Sequence, residues 1–116
     1  MQAGQTIWTT DPEFWTGEFE GAALQSGVSI IFTRLDRAGE GAALHRHAYA
    51  ETFIVRRGTV VFTDGRHPFE AAAGQIVVVP AGMPHGFAAK SDRAEMIDIH
   101  ASATFITEWL NQETRP

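Results

Sequence analysis

An all-β sandwich or barrel is the architecture this sequence predicts, on three observations. Short β-rich segments recur along the chain, glycine and proline turns punctuate nearly all of them, and helical periodicity appears only near the end. A chain of 116 residues, 44% hydrophobic, suffices for one core and is too short for two ordinary domains. Residues 1–116 therefore read as a single domain, without internal repeat, low-complexity stretch or linker.

The elements follow in order. Val28 to Leu35 is rich in β-branched residues. Glu51 to Val55 and Thr59 to Thr63 read as a strand pair around Arg57-Gly58, and Asp64-Gly65 is a tight-turn signal. Gln75 to Val79 is an apolar run expected to be buried. Pro80-Ala81-Gly82 ends it, since proline fixes φ and cannot donate to a ladder while glycine tolerates positive φ. Gly86 to Ala89 and Ala94 to His100 are further strands. The period then changes. Ser102 is placed as an N-cap, and Phe105, Ile106, Trp109 and Leu110 recur at helical spacing, so a short C-terminal helix is expected over about 103–112. For Trp8, Phe14, Trp15 and Phe19, core packing is the expectation, with the barrel mouth or a dimer surface as alternatives.

Composition excludes several classes of function. There is no cysteine, so neither a disulfide framework nor a thiolate site is possible. A net charge of −5 with scattered arginines argues against nucleic-acid binding and against binding to an anionic membrane. The start lacks a basic region followed by an apolar run, and no segment approaches bilayer-spanning length, so a cytoplasmic protein is the expectation.

His45, His47, Glu51 and His85 are the candidate metal ligands. On a strand, residues two apart share a face, so extended His45 and His47 project into one space. Glu51 can return to that space, and His85 joins it from elsewhere in the fold. Neutral imidazole is the commonest metal ligand, and the added carboxylate offsets the charge of a divalent ion. Three imidazoles with a carboxylate suit one divalent transition metal such as Fe, Mn, Ni or Zn, whereas Mg and Ca prefer all-oxygen shells.

The glycines and prolines around these residues carry a resemblance. Gly39 to Gly58 runs Gly, five residues, His45-Arg46-His47, three residues, Glu51, six residues, Gly58. Gly74 to Ala89 runs Gly, five residues, Pro80-Ala81-Gly82, two residues, His85, three residues, Ala89. These segments, 39–58 and 74–89, resemble the two signature motifs of the cupin superfamily, with Ala89 standing where the family has Asn. The resemblance implies a double-stranded β-helix (jelly-roll) barrel and a metal held by His45, His47, Glu51 and His85. It further implies a metal-dependent reaction on a small oxygen-rich or carboxylate-bearing molecule, of a dioxygenase, isomerase or cyclase kind. The alternative is a ligand-binding or sensing barrel whose metal is structural or merely anchors the ligand.

Wall residues would choose the reaction. Parity with the histidines puts Phe53 and Val55 inward beside Glu51 and Arg46 outward. On the last strand Ala94, Met96, Asp98 and His100 alternate with Glu95, Ile97 and Ile99, and either set can face the lumen. With the first set inward, Asp98 and His100 are candidate catalytic residues that orient or deprotonate a substrate. With the second inward, they lie at the surface or under the terminal helix, where His100 would bond the helix start. Arg34 and Tyr49 are open to either reading: an arginine can clamp a carboxylate, with a surface ion pair the expectation for Arg34, and His67 is expected in an exposed turn. A homodimer is expected, because small barrels with exposed edges and apolar surfaces often bury them against a copy.

Overall fold

The computed structural model describes residues 13–110, and within them the chain forms two facing five-stranded antiparallel sheets. The strands are β1 (Gly17–Phe19), β2 (Ser29–Leu35), β3 (Gly41–Arg46), β4 (Glu51–Arg57), β5 (Thr59–Thr63), β6 (Pro68–Ala72), β7 (Ile76–Val79), β8 (His85–Ala89), β9 (Ala94–His100) and β10 (Glu108–Trp109). One sheet has the order β1-β2-β9-β4-β7 and the other β10-β3-β8-β5-β6. Successive strands cross repeatedly between the sheets, which is the jelly-roll arrangement.

Alternation along the strands builds the core. Phe53 and Val55 of β4, Val60 and Phe62 of β5, Val77 and Val79 of β7, and Ala94 and Met96 of β9 all point between the sheets and are buried. Phe53 and Phe62 meet edge to face with ring centroids 5.0 Å apart, a favoured geometry for aromatic pairs. Phe87 packs on Phe53 at 5.6 Å. This aromatic group fills one end of the barrel. The other end, where β3, β8, β9 and the start of β4 meet, is lined by polar side chains.

Two turns position that polar end. Gly82 has φ +80°, a conformation that an L side chain rarely adopts, and its N–H donates to His47 O at 2.7 Å. The turn after β7 is thereby tied to the segment that carries the His-x-His pair. Gly58 (φ +78°) turns β4 into β5, and a Cβ there would lie 3.0 Å from the Ala94 Cα. The missing Asn of the second motif leaves no gap, because Ala89 is buried and both its N–H and its carbonyl are bonded, to Glu40 O and Gly39 N–H, each at 2.8 Å.

Four expectations are corrected. No helix forms over 103–110, the described part of the expected C-terminal helix; residues 111 and 112 lie outside the described residues. The backbone groups that a helix would consume are claimed by the barrel: Phe105 N–H goes to the Glu20 carboxylate, Ile106 N–H to the Tyr49 hydroxyl and Leu110 N–H to Leu44 O. Glu108 and Trp109 instead pair with Arg46 and His45, adding β10 to the edge of β3. Ser102 accordingly is not an N-cap, though its hydroxyl does accept Thr104 N–H in a local turn. The apolar run before Pro80 is only half buried, with Ile76 and Val78 62% and 61% exposed on the outer side of edge strand β7. Phe14 is exposed, and Trp15 packs outside the barrel, edge-on to Phe32 and beneath the Arg56 guanidinium. Trp8 lies outside the described residues. Arg34 pairs with Asp36 at 2.6 Å and His67 is exposed in the Asp64 turn, both as expected.

Candidate metal centre

The first motif spans a corner between the sheets. His45 lies near the end of β3 in one sheet, Glu51 opens β4 in the other, and residues 47–50 make the crossing. A register shift in β3 between Ala42 and His45 precedes the first histidine, and His85 opens β8 directly opposite His45 in the ladder. His45, His47, Glu51 and His85 are all buried, and one ligand atom from each lies within 4.8 Å of every other. The sequence motifs thus converge on one point from both sheets.

The outer ring nitrogens explain how the imidazoles are held. Nδ1 of His45 lies 2.6 Å from Ala43 O, that of His47 lies 2.8 Å from Ile106 O, and that of His85 lies 3.1 Å from Met83 O. A carbonyl only accepts, so each ring carries a proton on Nδ1 and turns its Nε2 inward. There Nε2 of His47 and His85 sit 3.1 and 3.0 Å from Glu51 Oε1. The His85 contact has hydrogen-bond geometry, so these nitrogens approach the carboxylate either as N–H donors or as lone pairs that a cation between them would bridge. His47 Nε2 is moreover buried without a hydrogen-bond partner among the described residues. The donor set therefore fits a divalent ion: three imidazole nitrogens and one carboxylate oxygen, each imidazole braced by a backbone carbonyl.

Electrostatics agree with a site that works charged. Burial pushes the Glu51 carboxyl up, but contacts with His100, His47 and His85 outweigh it and hold the group well below the usual carboxylate range. Burial lowers His45, helped by the neighbouring His85 and His47. For His47 burial acts in the same direction, yet Glu51 and the Ile106 carbonyl prevail and its pKa is raised.

β9 settles the orientation that the sequence left open. Ala94, Met96, Asp98 and His100 face inward, and Ile97 and Ile99 face out. Glu95 is also buried on the outer side, among the guanidinium groups of Arg56, Arg57 and Arg93. His100 does not bond a helix start; its Nε2 lies 3.1 Å from Glu51 Oε2. Asp98 Oδ2 accepts a hydrogen bond from Thr33 Oγ1 at 2.9 Å, while Oδ1 is buried without a partner among the described residues. Burial, then the charge of Glu51, push the Asp98 carboxyl well up, which favours its protonated form.

These groups line a cavity of about 200 Å³ beside the ligands, bounded by Ile31, Thr33, Phe87, Asp98, His100 and Trp109 among others. The C-terminal strap closes part of its mouth. The Trp109 ring packs at a tilt on His45 with centroids 4.8 Å apart, and Ile106 holds His47 through its carbonyl and Tyr49 through its N–H. Tyr49 and the strap were not recognised as site components in the sequence. Tyr49 lies two residues before Glu51, but the strap's apolar spacing mimicked a helix.

A jelly-roll with a buried three-histidine, one-carboxylate cluster at one end defines a class of barrels whose cluster could hold a metal ion. The chain belongs to the cupin domain family, whose model matches residues 31–100. No curated protein sequence matches it. Among solved structures, a cupin-2 domain protein from Shewanella frigidimarina is 24% identical with a TM-score of 0.56, covering 64% of this chain and 70% of that one. A protein with a double-stranded β-helix domain from Klebsiella pneumoniae is 17% identical with a TM-score of 0.63, covering 70% and 72%. Oxalate decarboxylase from Bacillus subtilis is 23% identical with a TM-score of 0.70, covering 81% of this chain; the match spans only 27% of the decarboxylase. Identities at this level establish a shared fold. Among the described residues, no helix is long and apolar enough to cross a membrane.

Proposed function

We propose that this cupin is a metal-dependent enzyme acting on a small oxygen-rich or carboxylate-bearing molecule, with His45, His47, Glu51 and His85 holding one divalent transition metal. The observation that carries the reading is the pairing of that ligand set with a polar cavity in which Asp98 Oδ1 and His100 Nε2 are buried and unpartnered. Buried polar atoms without partners are rare in folded proteins, and here they face the space that a bound molecule would take. A cavity of about 200 Å³ falls below the usual range for drug-sized ligands, so it suits a molecule of a few heavy atoms. The fold similarity to an enzyme named for oxalate, a two-carbon dicarboxylate, is in keeping with that size.

His45, His47, Glu51 and His85 would hold the ion, and on a six-coordinate metal they would leave room for a bidentate oxygen ligand. When bound, the metal supplies Lewis acidity or dioxygen chemistry. The chain supplies the rest: the protonated Asp98 donates a hydrogen bond or a proton, His100 orients the substrate, and the apolar wall of Ile31 and Phe87 excludes water. Metal analysis of the purified protein, followed by oxygen uptake and product analysis with small diols, keto acids and catechols, tests the proposal. Substrate-dependent oxygen consumption supports a dioxygenase, and conversion without it an isomerase or cyclase. Stoichiometric metal with no turnover of any of them would overturn the enzyme reading and leave a ligand-binding barrel with an anchoring metal.

We also propose that two copies pair through the outer face of the β1-β2-β9-β4-β7 sheet. Register places Ile30, Ile99, Thr52 and Val78 in one row across four strands, and Phe32, Ile97, Ile54 and Ile76 in the next. These two rows carry no charge, so the face is complementary to itself, as a two-fold contact requires.

A further inference from the structure

Four imidazoles, not three, gather around Glu51: His47, His85 and His100 in contact with it, and His45 within 4.8 Å. The partners of their Nδ1 atoms divide them. His45, His47 and His85 each face a backbone carbonyl. His100 Nδ1 instead faces the Tyr49 hydroxyl at 2.8 Å. That hydroxyl already accepts Ile106 N–H at 3.1 Å, so its own proton is free to go to His100 Nδ1. His100 then carries its proton on Nε2, the opposite tautomer to the other three. The surroundings of Nε2 agree. It lies 3.1 Å from Glu51 Oε2, where a lone pair would be repelled and an N–H is attracted. The alignment is nevertheless too poor for a hydrogen bond, so Nε2 stays buried without a partner among the described residues, and His100 lines the cavity.

We propose that Tyr49 is a positioning residue that makes His100 the one donor histidine of this centre, keeping it out of the metal's shell and holding its Nε2–H for an oxygen acceptor of the molecule in the cavity. The inference rests on the metal-centre reading above and adds the group that meets the ligand's oxygen. It also gives the strap a chemical role. One residue, Ile106, sorts the histidines from both sides: its carbonyl holds His47 as a ligand, and its N–H, through Tyr49, makes His100 a donor.

Long-range proton–nitrogen NMR spectra of the nitrogen-15-labelled, zinc-loaded protein read the tautomers directly. The expected result is Nδ1–H on His45, His47 and His85, with their Nε2 shifts moved by zinc, and Nε2–H on His100 with no zinc-induced change of ligand type. Zinc coordination by His100 Nε2, or an Nδ1–H form of it, overturns the proposal without touching the metal assignment. Failure of zinc to move any of the other three overturns the metal assignment itself. Tyr49→Phe removes the hydroxyl and is expected to populate the Nδ1–H form of His100 while the other three keep theirs; an unchanged His100 overturns the role of Tyr49. Formate, a small carboxylate, is the probe for the acceptor. It is expected to move the His100 Nε2–H resonance downfield together with the zinc-ligand resonances. Perturbed ligand resonances with an unmoved His100 overturn the donor role, and formate that perturbs neither overturns the carboxylate reading on which that role rests.

Discussion

Two of the three ligand histidines are braced from within their own segment, by a carbonyl two residues earlier: Ala43 for His45 and Met83 for His85. His47 takes its brace from Ile106, far along the chain. The three differ correspondingly in how they depend on the fold. His47→Ala and Glu51→Ala are each expected to reduce metal content sharply, measured by elemental analysis, with the far-ultraviolet circular dichroism of the barrel unchanged. The pH dependence has a definite sign. In the metal-free protein the depressed Glu51 contributes stability that is complete above its ordinary value of 4.5 and is lost as pH falls through its folded value. The raised His47 contributes stability that is complete below 6.5 and is lost as pH rises through its folded value. Metal binding works the other way, since protons compete for Nε2. The gap in melting temperature between zinc-loaded and metal-free protein is therefore expected to widen from about pH 6 to about pH 8, measured by thermal denaturation. A constant gap would show that the ion does not bind through these imidazoles.

At the scale of elements, strand alternation links core to site. β4 presents Glu51 to the ligands and Phe53, two residues on, to the aromatic core, where it is fully buried against Phe62 and Phe87 and lies 5.9 Å from the His85 ring. Phe53→Ala is expected to cost about 3–5 kcal/mol, the usual range for a buried Phe truncated in a core, read by denaturant unfolding. It should weaken metal retention only secondarily, because the ligands and their carbonyl braces remain. Most strands were legible because period-2 alternation and turn residues are local signals. β10 was not: an isolated Glu108-Trp109 has no strand signature, and Phe105, Ile106, Trp109 and Leu110 do recur at helical spacing. Its conformation is set by vacant backbone groups on the edge of β3, which no local pattern encodes. The inward face of β9 was undecided for a related reason, since both of its alternating sets contain apolar and polar residues.

At the scale of the whole molecule, the outer rows of the β1-β2-β9-β4-β7 sheet leave more apolar surface than one barrel uses. Ile76 and Val78 are each more than half exposed on the edge strand. Light scattering is expected to give the mass of a dimer, and Ile54→Glu combined with Ile76→Glu, which puts two charges on that face, is expected to give a monomer with metal content unchanged. A monomeric unmodified protein would remove the proposed interface. Function is divided across the same architecture: one end of the barrel is packed with aromatic side chains, while the other gathers ligands from both sheets and is partly closed by the strap.

The sequence by itself determined the family, the barrel and the four residues that cluster at its polar end, because a site that could hold a metal demands particular residue types and the corner that bears them demands glycine and proline at set positions. Only the tertiary structure decided that Asp98 and His100 face the cavity, that residues 103–110 form a strap rather than a helix, and that the Tyr49 hydroxyl lies against His100 Nδ1. Those properties depend on which carbonyl, hydroxyl or strand edge comes to lie beside a group after the sheets have folded together, and such partners are distant in the chain.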